Sequence, residues 1–345
     1  MVWQDEVMEL LKTFVEINSH SGNPQGLEEM GALLEKSFAC LHAKLKRFGN
    51  TLVYRKREEA PIQLFLGGHY DTVYPKECPF QKLEKLSKSR WRGPGVSDMK
   101  GGLVLLLEAL RAFEKEPHKD RIGWRLVLNG DEEVGSPISR KVIESVAIGC
   151  QAALFFEPAF ADGRLASSRK GSLSVRIVSR GKRAHAGRNL HAGKNAIVPL
   201  ADLICRLKRL RGINIAEISG GEAYNLVPDF AELKVNFRSE KERAFDTFRN
   251  LLSGWEWYKA SWRPPKPFDA KTKKLMSLLN YPVGAIPTGG VCDGNFTAAL
   301  GIPTVDTLGV VGGNLHTYEE YIEIESLHER KEWFLQFLNR VAKLC

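Results

Sequence analysis

Ile62-Gln63-Leu64-Phe65-Leu66-Gly67-Gly68-His69-Tyr70-Asp71 is the stretch that decides the fold. A short apolar run stops at two glycines, and a histidine and an aspartate follow at once. Two later segments share this layout. Trp124-Arg125-Leu126-Val127-Leu128 ends at Asn129-Gly130, ahead of Asp131-Glu132-Glu133; Ala152-Ala153-Leu154-Phe155-Phe156 ends at Glu157-Pro158. Short apolar runs bounded by turn residues read as strands buried on both faces. Helical patterns lie between them, over 102–116 and 139–147. Strands alternating with helices predict an α/β sheet with helices packed on it.

Upstream, the first fifty residues read as helix. Val7, Leu10, Leu11 and Val15 share one face, and Met30, Leu33, Leu34 and Phe38 another. The Ser19–Pro24 loop separates them, with Ser21 or Asn23 as the cap of the second helix. Downstream, the period changes near residue 171. Leu173, Val175 and Ile177 alternate with polar neighbours, as do Leu233, Val235 and Phe237, which predicts strands with one face in water. A helix over about 196–210 lies between them. The expected organisation is a first domain over 1–170, an inserted α+β domain over 171–278, and a return to the first domain over 279–345.

The 345 residues are 43% hydrophobic and 26% charged, which excludes a disordered chain and a disulfide-built mini-protein. No run approaches the roughly 18 apolar residues of a membrane span, and the acidic start lacks the order of a signal peptide. Six cysteines without CxxC spacing read as free thiols. These features predict a cytoplasmic protein. The net charge of +9 raises nucleic acid as a partner. The densest basic stretch, Lys82 to Arg92, has no accompanying binding motif, so neither nucleic acid nor membrane is expected. A positive field that attracts carboxylate substrates is the compatible alternative.

The chemistry gathers at the C-terminal ends of the buried runs, where open α/β sheets place ligands. His69 and Asp71 follow the first run. Asp98 stands in Gly93-Pro94-Gly95-Val96-Ser97-Asp98-Met99-Lys100-Gly101-Gly102, ahead of a helix. Glu132 and Glu133 follow the second run, Glu157 closes the third, and His316 follows a glycine-rich stretch. Taken singly, each is an ordinary hydrogen-bonded or solvated side chain. Taken together they are His, Asp and Glu without Cys, a donor set that suits a hydrolytic zinc or cobalt site. Asp71, Asp98, Glu132, Glu133 and Glu157 would bring five negative charges to one pocket, which two divalent ions nearly balance. Asp98 is suited to bridge the ions, with His69 and Glu157 on one and Glu133 and His316 on the other. Glu132 is then free as general base, and Asp71 is placed to fix the tautomer of His69.

With these residues laid out, the chain resembles the M20 metallopeptidase family, most closely its glutamate carboxypeptidase (carboxypeptidase G2-like) branch. The matching segments are 67–73, 93–102, 131–136, 156–158, 181–187, 224–229, 288–295 and 312–317, in family order. The resemblance implies a zinc-peptidase-like mixed sheet flanked by helices, with the inserted domain serving as lid and dimerisation domain. It implies the same ligands and base, and a cis peptide bond between residues 98 and 99. It implies that His185 reaches the site of the other subunit of a homodimer and stabilises the oxyanion. It further implies that Arg238 grips a substrate carboxylate, that Asn225 orients it, and that Gly290, with Gly289 and Gly294, lets substrate backbone approach. Cys292 departs from the more usual Ser of this loop and reads as a small buried residue.

The expected activity is hydrolysis of an amide by two divalent ions, zinc first, with cobalt or manganese as alternatives. The products would include a C-terminal amino acid, glutamate among the candidates, from an N-acyl or peptidyl substrate. An N-acyl amino acid deacylase or dipeptidase is the alternative. A binding protein without catalysis would be missing a ligand or the base, and none is missing.

Overall fold

The computed structural model describes residues 2–344. The chain divides into two compact units. The first takes residues up to Ser168, then Lys266–Thr288, then Cys292 onward; the second takes Arg169–Pro265 with Gly289–Val291. The chain re-enters the first unit at Lys266, ahead of the expected residue 279. The reason is packing: helix Ala270–Leu279 buries Leu275 and Leu279 in the first unit's core.

The first unit is built on a six-stranded mixed sheet. Its strands include β1 (Lys44–Phe48), β2 (Thr51–Lys56), β3 (Ile62–His69), β4 (Ile122–Asn129) and β5 (Ala152–Phe155), in the order β1-β2-β4-β3-β5, with Thr304–Val305 at the far edge. β3 runs parallel to both β4 and β5, whereas β2 pairs antiparallel with β4 on one side and with β1 on the other. The all-helical expectation for the first fifty residues is therefore corrected at its end. Helices α1 (Val2–Glu16) and α2 (Pro24–Phe38) form, but a hairpin follows them. Its first strand is almost wholly exposed, so the periodicity of Lys44-Leu45-Lys46-Arg47-Phe48 carries no burial signal. Asn23 caps α2 by accepting the Gly26 N–H at 3.2 Å, which settles the choice of cap.

The sheet shows why its strands are apolar throughout. On one face Leu64 and Leu66 join Leu126, Leu128 and Leu154 in a core covered by α1, α2, α3 (Gly101–Phe113) and the helix Ile324–Lys343. On the other, Phe65, Val127 and Phe155 pack under α4 (Arg140–Ala147) and Phe296. Burial on both faces is the condition of a parallel core. Gly102 opens α3 so close to β5 that a Cβ there would collide with the carbonyl oxygen of Phe156. Among the described residues no helix is long and apolar enough to cross a membrane.

The second unit is a four-stranded antiparallel sheet. Strands β6 (Gly171–Arg180), β7 (Ile213–Gly220), β8 (Phe230–Ser239) and β9 (Glu256–Arg263) lie in the order β7-β8-β6-β9. Helices α5 (Ile197–Leu207) and α6 (Glu242–Leu251) supply the other side of its core. Leu173, Val175 and Ile177 meet Leu233, Val235 and Phe237 there. The period-two reading of both strands is what the burial follows.

Glu114 ties the end of α3 to the turn between β2 and β3. Arg57 donates to both its oxygens at 2.8 Å, Lys56 lies 2.8 Å away, and Trp124 Nε1 donates at 3.2 Å. Burial works to raise this carboxyl, but the hydrogen bonds from Arg57 and Lys56 outweigh it and hold it down at about 2. A carboxylate with a depressed folded value stabilises above its unfolded value, and that stabilisation is lost as pH falls toward the folded one. Glu114→Gln should therefore cost about 3 kcal/mol near pH 7 by the linkage relation. The difference in urea midpoint between variant and parent should shrink between about pH 4.5 and about pH 2. An equal deficit across that range would contradict the assignment.

Candidate active site

Parallel strands bring their C-terminal ends to one edge. His69 closes β3 opposite Asn129 at the end of β4, and Gly67 faces Phe155 at the end of β5. The residues that follow these ends therefore converge. Asp98 arrives from the loop that precedes α3. Gly95 in that loop has φ 66°, a conformation that glycine adopts without strain. The Asp98–Met99 bond is cis. His316 arrives from the loop after Gly312–Gly313.

The convergence is tight. His69 Nε2 lies 3.1 Å from Asp98 Oδ1 and 3.7 Å from Glu157 Oε2. His316 Nε2 lies 3.4 Å from Asp98 Oδ2 and 3.4 Å from Glu133 Oε2. Asp98 thus stands between the two imidazoles with one oxygen toward each. His69, Asp98 and Glu133 each offer a donor atom, all within 4.8 Å of one another, and so make a possible metal site. Glu132 is buried beside them, close enough for its charge to raise Glu133.

Asp71 is the organiser of this cluster. It is fully buried. Its carboxylate accepts the backbone N–H of Glu132 on Oδ1 and of Glu133 on Oδ2, both at 3.1 Å. Ser21 Oγ donates to Oδ2 at 2.7 Å. Oδ1 lies 3.3 Å from His69 Nδ1, and the Asp71 carbonyl lies 3.1 Å from that same nitrogen. One side chain therefore orients His69 and anchors the segment that carries both glutamates. Ser21, the rejected cap of α2, serves here instead.

The electrostatics show a cluster that calls for positive charge. Burial pushes Glu133 up to about 8, opposed by its hydrogen bond with His316 and aided by the charge of Asp98. Burial also acts to raise Asp98, but hydrogen bonds from His316 and His69 hold it well below the usual carboxylate range. His316 is raised to about 10 by its hydrogen bonds to Asp98 and Glu133. Burial lowers His69, yet the charge of Glu157 and hydrogen bonds to Asp71 and Asp98 carry it well above its ordinary value. Hard oxygen donors with two imidazoles, deprived of other cations, fit divalent metal ions.

The remaining expected residues lie on the second unit. His185 is exposed in a turn, where Ala186 N–H donates to the Asn225 carbonyl at 2.9 Å, so the His185 and Asn225 loops are adjacent. Arg238 lies near the end of β8. Its Nε donates to Asn236 Oδ1 at 3.0 Å and one terminal nitrogen donates to the Gly289 carbonyl at 2.8 Å. Gly290 belongs to that same Gly289–Val291 segment. A Cβ on Gly289 would meet nothing within 4 Å. Cys292 is buried.

Two buried groups at the site escaped the sequence reading, Glu320 and Tyr74. Nothing in Thr317-Tyr318-Glu319-Glu320 separates the buried glutamate from its exposed neighbour.

A model of Peptidase family M20/M25/M40 matches residues 65–340. Carboxypeptidase G2 of Pseudomonas sp. (strain RS-16) is 27% identical over 362 residues, spanning 95% of this chain and 87% of that one. A succinyl-diaminopimelate desuccinylase of Legionella pneumophila (strain Lens) is 26% identical over 322 residues, or 81% and 84% of the two chains. Among solved structures, a tripeptidase of Staphylococcus aureus superposes with a TM-score of 0.80 at 22% identity, over 99% of both chains.

Asp71→Asn would keep the size of the side chain but place an amide where two backbone N–H groups and Ser21 seek acceptors. It should weaken divalent-metal binding by roughly tenfold to a hundredfold, as loss of a ligand-orienting carboxylate does. Equilibrium dialysis against zinc measures this directly. Unchanged affinity would mean that Asp71 does not organise the donors.

Proposed function

This chain belongs to peptidase family M20/M25/M40 and is a metal-dependent hydrolase, and within that family we propose that it is a dinuclear metallocarboxypeptidase. Its substrate would be an N-acyl or peptidyl amino acid, and glutamate is the leading candidate for the residue released. The observation that carries this reading is the relay His69–Asp98–His316–Glu133, in which one carboxylate lies between two imidazoles. That arrangement is what two adjacent ions with one shared ligand require.

His69 and Glu157 would hold one ion, Glu133 and His316 the other, and Asp98 both. Zinc suits the donors best, and cobalt and manganese accept them too. When bound, the two ions supply Lewis acidity that polarises the scissile carbonyl and makes a water acidic. Glu132 takes the proton of the attacking water and returns it to the leaving amine. Asp71 holds His69 and the backbone of Glu132 in place while charge moves. His185 donates to the oxyanion, in the site of the other copy of a homodimer, with the second unit acting as lid. Its exposure in a turn supports a role outside its own fold.

Arg238 pairs with the substrate's terminal carboxylate, Asn225 orients it, and Gly290 leaves room for its backbone. The guanidinium is braced by Asn236 and Gly289, which supports a fixed, planar carboxylate grip. Charge distribution points the same way. The span 169–265 carries nineteen Lys and Arg against nine Asp and Glu, so it accounts for the whole of the +9 and leaves the rest of the chain near neutral. Free thiols at Cys40, Cys78, Cys150, Cys205 and Cys292 suit action in the cytoplasm.

A second reading, an N-acyl amino acid deacylase or dipeptidase, is supported by the similarity to a desuccinylase. The zinc-loaded protein, offered a panel of N-acyl amino acids and dipeptides, should release the C-terminal amino acid, glutamate foremost. Glu132→Gln should bind both ions and lose roughly a hundredfold to ten-thousandfold in turnover. Release confined to short acyl conjugates of other amino acids selects the deacylase. Silence across the panel with two ions bound overturns both.

The basic unit makes a separate prediction about rate. Raising ionic strength from about 0.05 to about 0.5 M should lower kcat/KM several-fold for a dianionic acyl-glutamate, and much less for a zwitterionic dipeptide. Equal salt dependence for the two would show that the field does not steer substrate.

A further inference from the structure

Glu320 is a fully buried carboxylate with no place in the chemistry above. Burying an ion is costly unless hydrogen bonds replace its water. Here they do. Oε1 accepts the N–H of Ser97 at 2.7 Å and of Asp98 at 2.9 Å. Oε2 accepts the N–H of Gly95 at 3.3 Å and lies 2.6 Å from the Tyr74 hydroxyl. Its own carbonyl accepts the Gly93 N–H at 3.2 Å. The loop from Gly93 to Asp98 is thus seated on one residue.

That residue comes from the loop of His316. Glu320 N–H donates to the Thr317 carbonyl at 3.1 Å, and the Tyr74 hydroxyl lies 2.9 Å from that same carbonyl. The side chain therefore crosses from the loop that carries one imidazole to the loop that carries the shared carboxylate. Three backbone N–H groups donate to its two oxygens, and the Tyr74 hydroxyl, whose single proton serves either Oε2 or the Thr317 carbonyl, lies against the second; a side chain with two oxygens is needed to accept from all three amides. An amide would set an N–H against an N–H on at least one side. Lys100 packs beside Gly95 of this loop, near enough for its charge to be felt by Glu320, but its ammonium donates to the Ile17 carbonyl at 2.7 Å and makes no hydrogen bond to Glu320.

We propose that Glu320 is a positioning residue that sets the separation of Asp98 from His316, by fixing the backbone of the Asp98 loop to the His316 loop. Tyr74 braces its outer oxygen. The inference rests on the reading of Asp98 as the ligand that two ions share.

Cobalt(II) tests both levels separately. The wild-type protein is titrated with Co²⁺ and followed by visible absorption; uptake of fewer than two ions would defeat the dinuclear reading itself. Given two ions, Glu320→Gln should bind Co²⁺ roughly tenfold to a hundredfold more weakly. Its visible spectrum should differ from that of the wild type, and kcat should fall with KM retained. Tyr74→Phe should shift affinity and spectrum in the same direction by less. Val53→Ala, a destabilised core variant remote from the site, should show the wild-type spectrum at a lowered Tm. A folded Glu320→Gln protein with wild-type affinity and spectrum overturns the proposal. If that variant does not fold, Tyr74→Phe decides, and an unaltered spectrum in it overturns the proposal equally.

Discussion

The first unit depends on holding like charges together. Asp71, Asp98, Glu132, Glu133 and Glu157 all follow strand ends or loops at one edge of the sheet, and each is buried or nearly so. Carboxylates at that density repel, and burial penalises each ion further. Hydrophobic packing cannot offset this; it only makes the edge rigid. What offsets it locally is the backbone, through amides aimed at carboxylates. Asp71 takes two of them and Glu320 takes three. These two residues act as a frame: neither touches the space between His69 and His316, yet each fixes a segment that does.

The division between frame and donors also explains which residues are legible in the sequence. The candidate ligands and base follow apolar runs or glycine turns, and strand-end placement is a periodicity signal, so His69, Glu132, Glu133 and Glu157 stand out from residue order alone. The buried strands of the first unit and the alternating strands β6 and β8 are legible for the same reason. The hairpin of β1 and β2 is not, because an exposed edge strand has no burial pattern to write into its residues. Glu320 is illegible in a different way. Its partners are backbone amides more than two hundred residues earlier, and any chain presents amides. A side chain that recognises backbone leaves no complementary residue to find. Ser21 shows the milder form: the sequence marks it as a polar turn residue but does not reveal that its partner is Asp71 rather than a helix end.

Charge is partitioned along the chain in a manner that the site itself demands. A Lys or Arg among these carboxylates would form permanent ion pairs and occupy the oxygens that a metal needs. Among the described residues, Asp71, Asp98 and Glu133 take no ion pair from Lys or Arg; their charged contacts are with imidazoles, which can give up a proton and keep a lone pair for a metal. Lys100 lies two positions from Asp98 and is fully buried, yet its ammonium is held by the backbone carbonyl of Ile17. The excess of basic residues is carried by the other unit, where Arg176, Arg180 and Lys234 are engaged with Glu232, Glu256 and Glu217. Among the described residues, Arg238 hydrogen-bonds to an amide oxygen and a backbone carbonyl and forms no ion pair with a carboxylate. A guanidinium without a carboxylate partner on one unit, and Asp71, Asp98 and Glu133 without Lys or Arg partners on the other, are two forms of one requirement. On the proposed function, the charge of the carboxylates would be met by metal and that of the guanidinium by a substrate carboxylate.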